Sequence, residues 1–426
     1  MIEASDARAD LKIESPLAAA ITELETSLSE SAAHQDLNES VDEEPIVRYV
    51  NLVIFQAIKE KASDIHFEPF EDEFRIRYRI DGVLYDLLSP PAYLILPIIS
   101  RVKILAGMNI TERRIPQDGH FKFTVTEGAV DFRASTLPVQ FGESLVLRVL
   151  DKSNVNLNLD ELGIPGALLR KVRKTIERPN GIFIITGPTG CGKTTTLYSA
   201  LREINHSKYK ILTAEDPVEY QLDGLIQVTI NPDVGLTFAQ ALRSFLRQDP
   251  DKIMVGEIRD LETARIAVQA AFTGHLVFST LHTIDSVGAI TRFVDLGIEP
   301  YLVAASLECV MAQRLIRCIC PACRSAYSPG IKNIALLSLS LNAATDQVFS
   351  CGTGCAHCYG TGYSGRTGIF ELLVTSDMMR ELIVKNKSTQ ELRRQAVSEG
   401  LTMLREVGIR AILDGVTTVE EVLAAT

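Results

Sequence analysis

The sequence predicts an α/β protein in which a small α+β domain precedes a larger domain built on a parallel sheet. Short runs of alternating apolar and polar residues before residue 150 predict the first sheet. An apolar strand, a glycine-rich loop and the start of a helix follow in "IFIITGPTGCGKTTTLYSAL". Two C-x₂-C pairs come later and predict a metal-binding module ahead of a helical C-terminal region.

The length of 426 residues exceeds the size at which one hydrophobic core stops growing, so we expect two or three domains. The predicted segments are an acidic, mobile tail at 1–45, an α+β domain at 46–150, a linker at 151–166, an α/β core at 167–317, a metal module at 318–366 and a helical region at 367–426.

The net charge of −11 is concentrated at the N-terminus. Residues 1–45 contain twelve carboxylates and two basic residues, a net of −10, which leaves −1 for the rest of the chain. Nucleic acids are bound by clustered Lys and Arg, so a near-neutral body argues against a nucleic-acid partner. No apolar run is long enough to span a bilayer and no leader peptide is evident, which predicts a cytoplasmic protein.

The first domain is predicted to begin near Pro45, where apolar residues recur at helical spacing. In "FRIRYRIDGVLYDL", Asp81 and Gly82 supply the turn of a hairpin. One strand face is apolar and the other carries three arginines, which face either solvent or an anion or acidic neighbour. A helix at 94–105 and strands at 121–125, 130–135 and 144–150 complete this domain.

The glycine loop matches the pattern G-x-x-x-x-G-K-[ST]. Such a loop binds nucleotide phosphates because successive backbone N–H groups surround them at a helix N-terminus. Lys193 is expected to reach the β and γ phosphates of ATP, and the Thr194 hydroxyl to bind Mg²⁺. Cys191 is either part of this cradle or only a small residue that fits it. The candidate nucleotide-binding residues are Gly187, Pro188, Thr189, Gly190, Cys191, Gly192, Lys193, Thr194 and Thr195.

Three later strands end in polar residues. "KILTAEDPVEY" ends in Glu215 and Asp216, "MVGEIRD" in Glu257, and "GHLVFSTLHT" leads to His282. The carboxyl ends of parallel strands meet at one edge, beside the phosphate loop. Glu215 or Asp216 is expected to assist Mg²⁺ through water, and Glu257 to polarise the attacking water. The histidines at 275 and 282 either join this site or hydrogen-bond the backbone.

Seven of the eight cysteines lie between residues 309 and 358. Four of them, in "CPAC" and "CAHC", have the spacing of a tetrahedral Zn²⁺ site, and four thiolates predict a structural role. The predicted zinc ligands are Cys320, Cys323, Cys355 and Cys358. Cys318 and Cys351 are competing candidates, and His357 is a weaker one.

Several blocks together resemble the GspE/PilB-like secretion ATPases that drive type II secretion and type IV pilus assembly. The blocks are "SDIHFEP", "RIDG", "RRIPQDGH", "GPTGCGKTTTLY", "AEDPVEY", "LRQDPDKIMVGEIRD", "TGHLVFSTLHT" and "AQRLIR". The resemblance covers residues 46–426. It implies a PAS-like first domain, a RecA-like ATPase core, a tetracysteine module and a catalytic glutamate at Glu257.

The resemblance also implies a homohexamer that acts on an inner-membrane secretion platform and its docking proteins, with peripheral membrane association through those partners. Arginines stabilise the charge that phosphoryl transfer spreads over the γ-phosphate. Arg243 and Arg247 are predicted on one helix face before the Glu257 strand, and Arg259 follows Glu257 directly. By similarity to the family, Arg133 and Arg148 reach the nucleotide from the first domain.

The predicted function is therefore an ATP-hydrolysing motor for type II secretion that moves a membrane platform during pseudopilus assembly and protein export. Type IV pilus extension is the alternative within the same family. A nucleic-acid translocase requires a basic pore, which the charge disfavours. A scaffold that binds ATP without hydrolysing it is disfavoured by the intact set of Lys193, Thr194 and Glu257.

Overall fold

A computed structural model describes most of the chain. The described residues are 19–22, 44–125, 128–150, 157–328 and 349–426. Within the acidic tail, residues 19–22 are helical. The rest of the acidic tail up to residue 43, the start of the linker and the middle of the metal module also lie outside them.

Contacts between residues divide the chain into two units. The first consists of Met1–Val155, Cys320–Arg324 and Gly352–Gly365. The second consists of Asn156–Ile319, Ser325–Cys351 and Arg366–Thr426. Both cysteine segments therefore belong to the same unit as the N-terminal domain. The finer division into six segments stays a prediction.

Between residues 44 and 150, the first unit is an antiparallel sheet with two α-helices. Its elements are α1 (Glu44–Lys59), β1 (Asp64–Pro69), β2 (Phe74–Ile80), β3 (Val83–Asp86), α2 (Ile95–Leu105), β4 (Gln117–Val125), β5 (Gly128–Val139) and β6 (Gly142–Leu150). The strand order is β3-β2-β1-β6-β5-β4. Alternate residues of the strands join the apolar side chains of both helices in one core, as the sequence pattern predicts.

The hairpin between β2 and β3 turns at Asp81 and Gly82, whose φ angles are 49° and 86°. Positive φ at both central residues is what a two-residue hairpin turn of type I′ requires. The arginines of β2 face acidic side chains. Arg77 donates two hydrogen bonds of 2.8 Å to Glu68. The predicted alternative of an acidic neighbour is thus the one observed for Arg77.

The second unit is a seven-stranded sheet with the order β15-β12-β7-β11-β10-β8-β9. Its strands are β7 (Gly181–Thr186), β8 (Ile211–Glu215), β9 (Ile226–Thr229), β10 (Lys252–Val255), β11 (Leu276–Leu281), β12 (Leu307–Ile319) and β15 (Tyr363–Val374). A separate pair is β13 (Arg324–Tyr327) and β14 (Phe349–Gly352). Neighbours from β12 to β9 are parallel, and β7, β8, β10 and β11 are buried throughout.

Helices surround this sheet. They are α3 (Gly166–Ile176), α4 (Lys193–Glu203), α5 (Phe238–Phe245), α6 (Leu261–Phe272), α7 (Ser286–Asp295), α8 (Pro300–Ser306), α9 (Asp377–Val384), α10 (Thr389–Ser398), α11 (Leu404–Leu413) and α12 (Val419–Ala425). The central α/β core and the C-terminal helices confirm the predicted fold class. Within the described ranges, no helix is long and apolar enough to cross a membrane.

Buried Glu371 on β15 joins two helices at their N-termini. Its side chain is only 1% exposed. One oxygen accepts hydrogen bonds from the backbone N–H and the hydroxyl of Ser286, the first residue of α7. The other accepts the backbone N–H of Leu404, the first residue of α11, at 3.0 Å. The negative charge thereby satisfies helix N–H groups that have no partner within their own helices.

We predict that Glu371→Ala lowers the free energy of unfolding by about 2–4 kcal/mol, because it leaves buried N–H groups unsatisfied at two helices. Urea unfolding followed by circular dichroism measures this, since the chain contains no Trp. Glu381→Ala is the control, because Glu381 is exposed and its ion pair among the described residues is an i,i+4 pair with Lys385. Equal losses in the two variants would contradict the prediction.

Candidate active site and metal centre

The glycine loop connects β7 to α4 at the carboxyl edge of the sheet. Gly187, Gly190 and Gly192 have φ angles of 152°, 78° and 87°. A Cβ atom at Gly187 would lie 2.6 Å from both Cys191 Sγ and the Gln313 carbonyl oxygen. Glycine is required at this position because neither the backbone conformation nor the space admits a side chain.

Lys193 begins α4 and folds back over the loop. Its Nζ donates hydrogen bonds to the carbonyl oxygens of Gly187 at 2.8 Å and Pro188 at 2.9 Å. Burial lowers the pKa of Lys193. Thr194 follows at the N-terminus of α4 with an exposed side chain. An ammonium over the loop and an accessible hydroxyl beside it fit a nucleotide with Mg²⁺.

Glu257 lies just beyond the end of β10. Its Oε1 is 2.6 Å from Arg259 Nη2, and its Oε2 is 3.4 Å from His282 Nε2. The bond to Glu257 raises the pKa of Arg259. Oε2 is buried and, among the described residues, accepts no hydrogen bond. A carboxylate oxygen in this state is suited to accept a hydrogen bond from a water molecule.

Glu215, at the end of β8, is buried and already receives three hydrogen bonds. Thr213 Oγ1 donates at 2.6 Å, Gln227 Nε2 donates at 3.1 Å, and the Tyr198 hydroxyl of α4 is the third donor. Burial and the bond to Glu215 raise the pKa of Tyr198. These contacts tie α4 to β8. A role for Glu215 beside Mg²⁺ stays a prediction.

Two secretion and pilus proteins are similar in sequence to nearly the whole chain. The chain is 50% identical over 392 residues to type II secretion system protein E of Pseudomonas aeruginosa, covering 92% of this chain and 78% of that protein. It is 47% identical over 407 residues to the type IV pilus assembly ATPase PilB of Myxococcus xanthus, covering 95% and 72%. The family model described as type II/IV secretion system protein matches residues 39–424. The chain belongs to this family.

Solved structures agree with this type II/IV secretion family fold. The pilus retraction motor PilT with bound ADP has a TM-score of 0.60 and 28% identity, covering 88% of this chain and 96% of that one. The Legionella pneumophila ATPase DotB has a TM-score of 0.65 at 21% identity, covering 89% and 94%, and supports the fold alone. The RecA-like fold and the ATPase prediction are confirmed.

The arginines that the sequence predicts at the active site have different ion-pair partners in the structure. Arg259 contacts Glu257, whereas Arg243 pairs with Glu262 on α6. The prediction of Arg243 and Arg247 on one helix was wrong, because α5 ends at Phe245. Asp249 has a φ of 52° immediately before Pro250, and this turn ends the helical segment. Arg247 instead donates to the Arg243 carbonyl oxygen at 2.8 Å.

Arg133 and Arg148 belong to the first unit, where they face each other across β5 and β6. Arg148 Nε lies 3.2 Å from Asp64 Oδ1. Their action on the nucleotide stays a prediction. His282 lies beside Glu257, but His275 does not join this site. The Nδ1 atom of His275 is 2.9 Å from the Ala270 carbonyl oxygen, which is the predicted backbone alternative.

The segment "AQRLIR" contains two residues near the glycine loop for which the sequence predicts no function. Gln313 and Arg314 lie on β12, beneath the glycine loop, and are 2% and 9% exposed. Arg314 donates to the carbonyl oxygens of Gln313 at 2.9 Å and Ala425 at 3.2 Å. The sequence feature that points to them is a pair of polar residues inside the otherwise apolar run "VMAQRLI". Such residues are buried only when their polar groups are hydrogen-bonded.

The four predicted zinc ligands lie in the first unit. Ligand atoms of Cys320, Cys323, Cys355 and Cys358 all lie within 4.8 Å of one another. Backbone N–H groups of Cys355 and Gly362 each lie 3.2 Å from Cys358 Sγ. Burial alone raises the pKa of this thiol, but these backbone hydrogen bonds, together with hydrogen bonds to the Cys355 and Cys323 side chains, lower it to about 6. Four clustered sulfurs with one thiol biased toward thiolate fit a structural Zn²⁺ ion.

The competing cysteines do not belong to the four-sulfur cluster. Cys351 Sγ instead lies 3.6 Å from Ser325 Oγ, and neither Cys318 nor His357 contributes to that cluster. The cluster also has its own contacts with the N-terminal domain. The Gly365 N–H donates to Asp81 Oδ2 at 3.0 Å, and Tyr359 hydrogen-bonds Glu60.

We predict that the purified protein carries one zinc ion per chain and that Cys358→Ser loses it, because Ser supplies no thiolate. Atomic absorption after dialysis measures the zinc content of each variant. Cys351→Ser is the matched control and is expected to keep its zinc. A wild-type protein free of zinc, or equal losses in the two variants, would refute the assignment.

Proposed function

We propose that this chain hydrolyses ATP at the loop formed by residues 187–195 and uses the energy for type II protein secretion. The observation that carries the proposal is the position of Glu257. Its Oε2 accepts no hydrogen bond among the described residues and lies at the same edge of the parallel sheet as the glycine loop, because β10 and β7 both lie parallel to β11. A water-activating carboxylate and a phosphate cradle are the two parts that hydrolysis requires.

The residues nearest the glycine loop and Glu257 each have a proposed task. Backbone N–H groups of the loop bind the phosphates, and Lys193 neutralises charge on the β and γ phosphates. Mg²⁺, held by Thr194, supplies further neutralisation when bound. Glu257 accepts a hydrogen bond from water and orients it toward the γ-phosphate. Arg259 and His282 hold the Glu257 carboxylate in place, and Arg243, Arg247, Arg133 and Arg148 are the remaining candidate cations.

The proposed assembly is a homohexamer. Its proposed partners are the inner-membrane secretion platform and docking proteins, which place a cytoplasmic motor at the membrane surface. ATP binding, hydrolysis and release then drive the conformational change that moves the platform. The match to PilB of Myxococcus xanthus favours type IV pilus extension as a second candidate function.

We predict that Glu257→Gln reduces steady-state ATP turnover at least a hundredfold while ATP still binds, because a neutral amide oxygen polarises the attacking water far less than a carboxylate does. Phosphate release and the affinity for a fluorescent ATP analogue measure the two effects separately. Glu299→Gln, at an exposed residue before α8, is the control for loss of one carboxylate. Equal turnover in Glu257→Gln and wild type would remove the catalytic assignment.

We also predict that a non-hydrolysable ATP analogue shifts the protein toward six chains per particle. A nucleotide that binds only the assembled form stabilises that form by mass action. Size-exclusion chromatography with light scattering measures the mass, and Lys193→Ala serves as the control that does not respond. A wild-type particle that remains a monomer at saturating analogue would argue against the hexamer.

A further inference from the structure

Gln313 is a buried amide that the hydrolysis scheme does not use. It lies on β12, which runs parallel to β7 in a register that places Ala312 beside Thr186. Thr186 is the last residue before the glycine loop, so Gln313 lies next to the point where the loop leaves the sheet. The side chain is 2% exposed and is therefore separated from solvent.

Both ends of the amide are hydrogen-bonded to the nucleotide site. Nε2 donates to the Cys191 carbonyl oxygen at 2.6 Å. Oε1 accepts from the Thr196 hydroxyl in the first turn of α4 at 2.9 Å. The Cys191 carbonyl can only accept, so the NH₂ group must face it and the amide orientation is fixed. One side chain thus joins the end of the loop to the start of the helix.

The backbone around Gln313 leaves little room for movement. A Cβ atom at Gly192 would lie 3.1 Å from Gln313 Nε2, and one at Gly187 would lie 2.6 Å from the Gln313 carbonyl oxygen. Arg314 Nη1 donates to that same carbonyl oxygen at 2.9 Å. The glycine loop therefore packs against the Gln313 backbone, which is itself held by a hydrogen bond from Arg314.

The consequence for phosphate binding follows from peptide geometry. The Cys191 carbonyl and the Gly192 N–H belong to one planar, trans peptide, in which the two bonds point in opposite directions. A hydrogen bond that holds the carbonyl toward Gln313 turns the N–H away from β12, toward the open side of the loop. N–H groups that point to this side are the ones available to a phosphate.

We propose that Gln313 is a positioning residue for ATP: it fixes the Cys191–Gly192 peptide so that the loop binds phosphate without prior rearrangement. This inference rests on the proposed use of the loop for ATP. Gln313 does not touch the nucleotide itself. Its loss weakens ATP binding, because the loop must then be ordered at the expense of binding energy.

The test uses the full chain and measures the dissociation constant of a fluorescent ATP analogue with Mg²⁺. Gln313→Met keeps the side-chain volume but removes both hydrogen bonds, and we expect a roughly tenfold weaker affinity. Thr196→Val removes the hydroxyl that donates to Gln313. We expect the double variant to lose much less than the product of the two single losses, because both act through one network.

Gln56→Met is the matched control. Gln56 is also a buried glutamine with a side-chain bond, to Glu60 at 2.9 Å, but it lies on α1 in the first unit. We expect this control to keep wild-type ATP affinity even where its thermal stability falls. A purely structural role of Gln313 would likewise lower stability and leave the affinity unchanged.

Wild-type affinity in Gln313→Met, or multiplicative losses in the double variant, would overturn the proposal. If Gln313→Met does not fold, Gln313→Glu replaces it. The carboxylate has the same shape but no proton for the Cys191 carbonyl, so we expect a loss of at least tenfold, and unchanged affinity would also overturn the proposal. ATP binding by wild type and its loss in Lys193→Ala establish the site independently of Gln313.

Discussion

The parallel pairing of β7 with β11 on one side and β12 on the other is the constraint on which the active site depends. It brings the end of β7, where the glycine loop starts, to the same edge as the residues that follow β10 and β11. Glu257 and His282 meet there although they are 25 positions apart in the chain. Without this register, the phosphate cradle and the water-activating group would have no common location.

Local patterns were sufficient to predict much of the fold. The hairpin at Asp81–Gly82 follows from two residues that tolerate positive φ, and the strand before it from strict alternation. The strand, loop and helix around Lys193 follow from a motif whose spacing is fixed by phosphate geometry. The four cysteines that cluster are those in the two C-x₂-C pairs. In each case the information lies within a few consecutive residues.

Other features depend on contacts between distant segments, which no local pattern contains. Glu215 accepts hydrogen bonds from Tyr198 of α4, from Thr213 of its own strand and from Gln227 of β9, so its partners come from three different elements. Gln313 reaches a loop more than a hundred positions earlier. A single sequence gives the residue types but not these pairings.

The chain passes repeatedly between its two units, because both cysteine segments return to the first one. The polypeptide crosses from one unit to the other at residues 155–156, 319–320, 324–325, 351–352 and 365–366. No single cut in the polypeptide can therefore separate the units. A truncated protein that starts after residue 155 would lack the contacts of Gly365 and Tyr359 with Asp81 and Glu60. The two halves of this molecule are thus not interchangeable modules, and recombination between relatives must preserve both together.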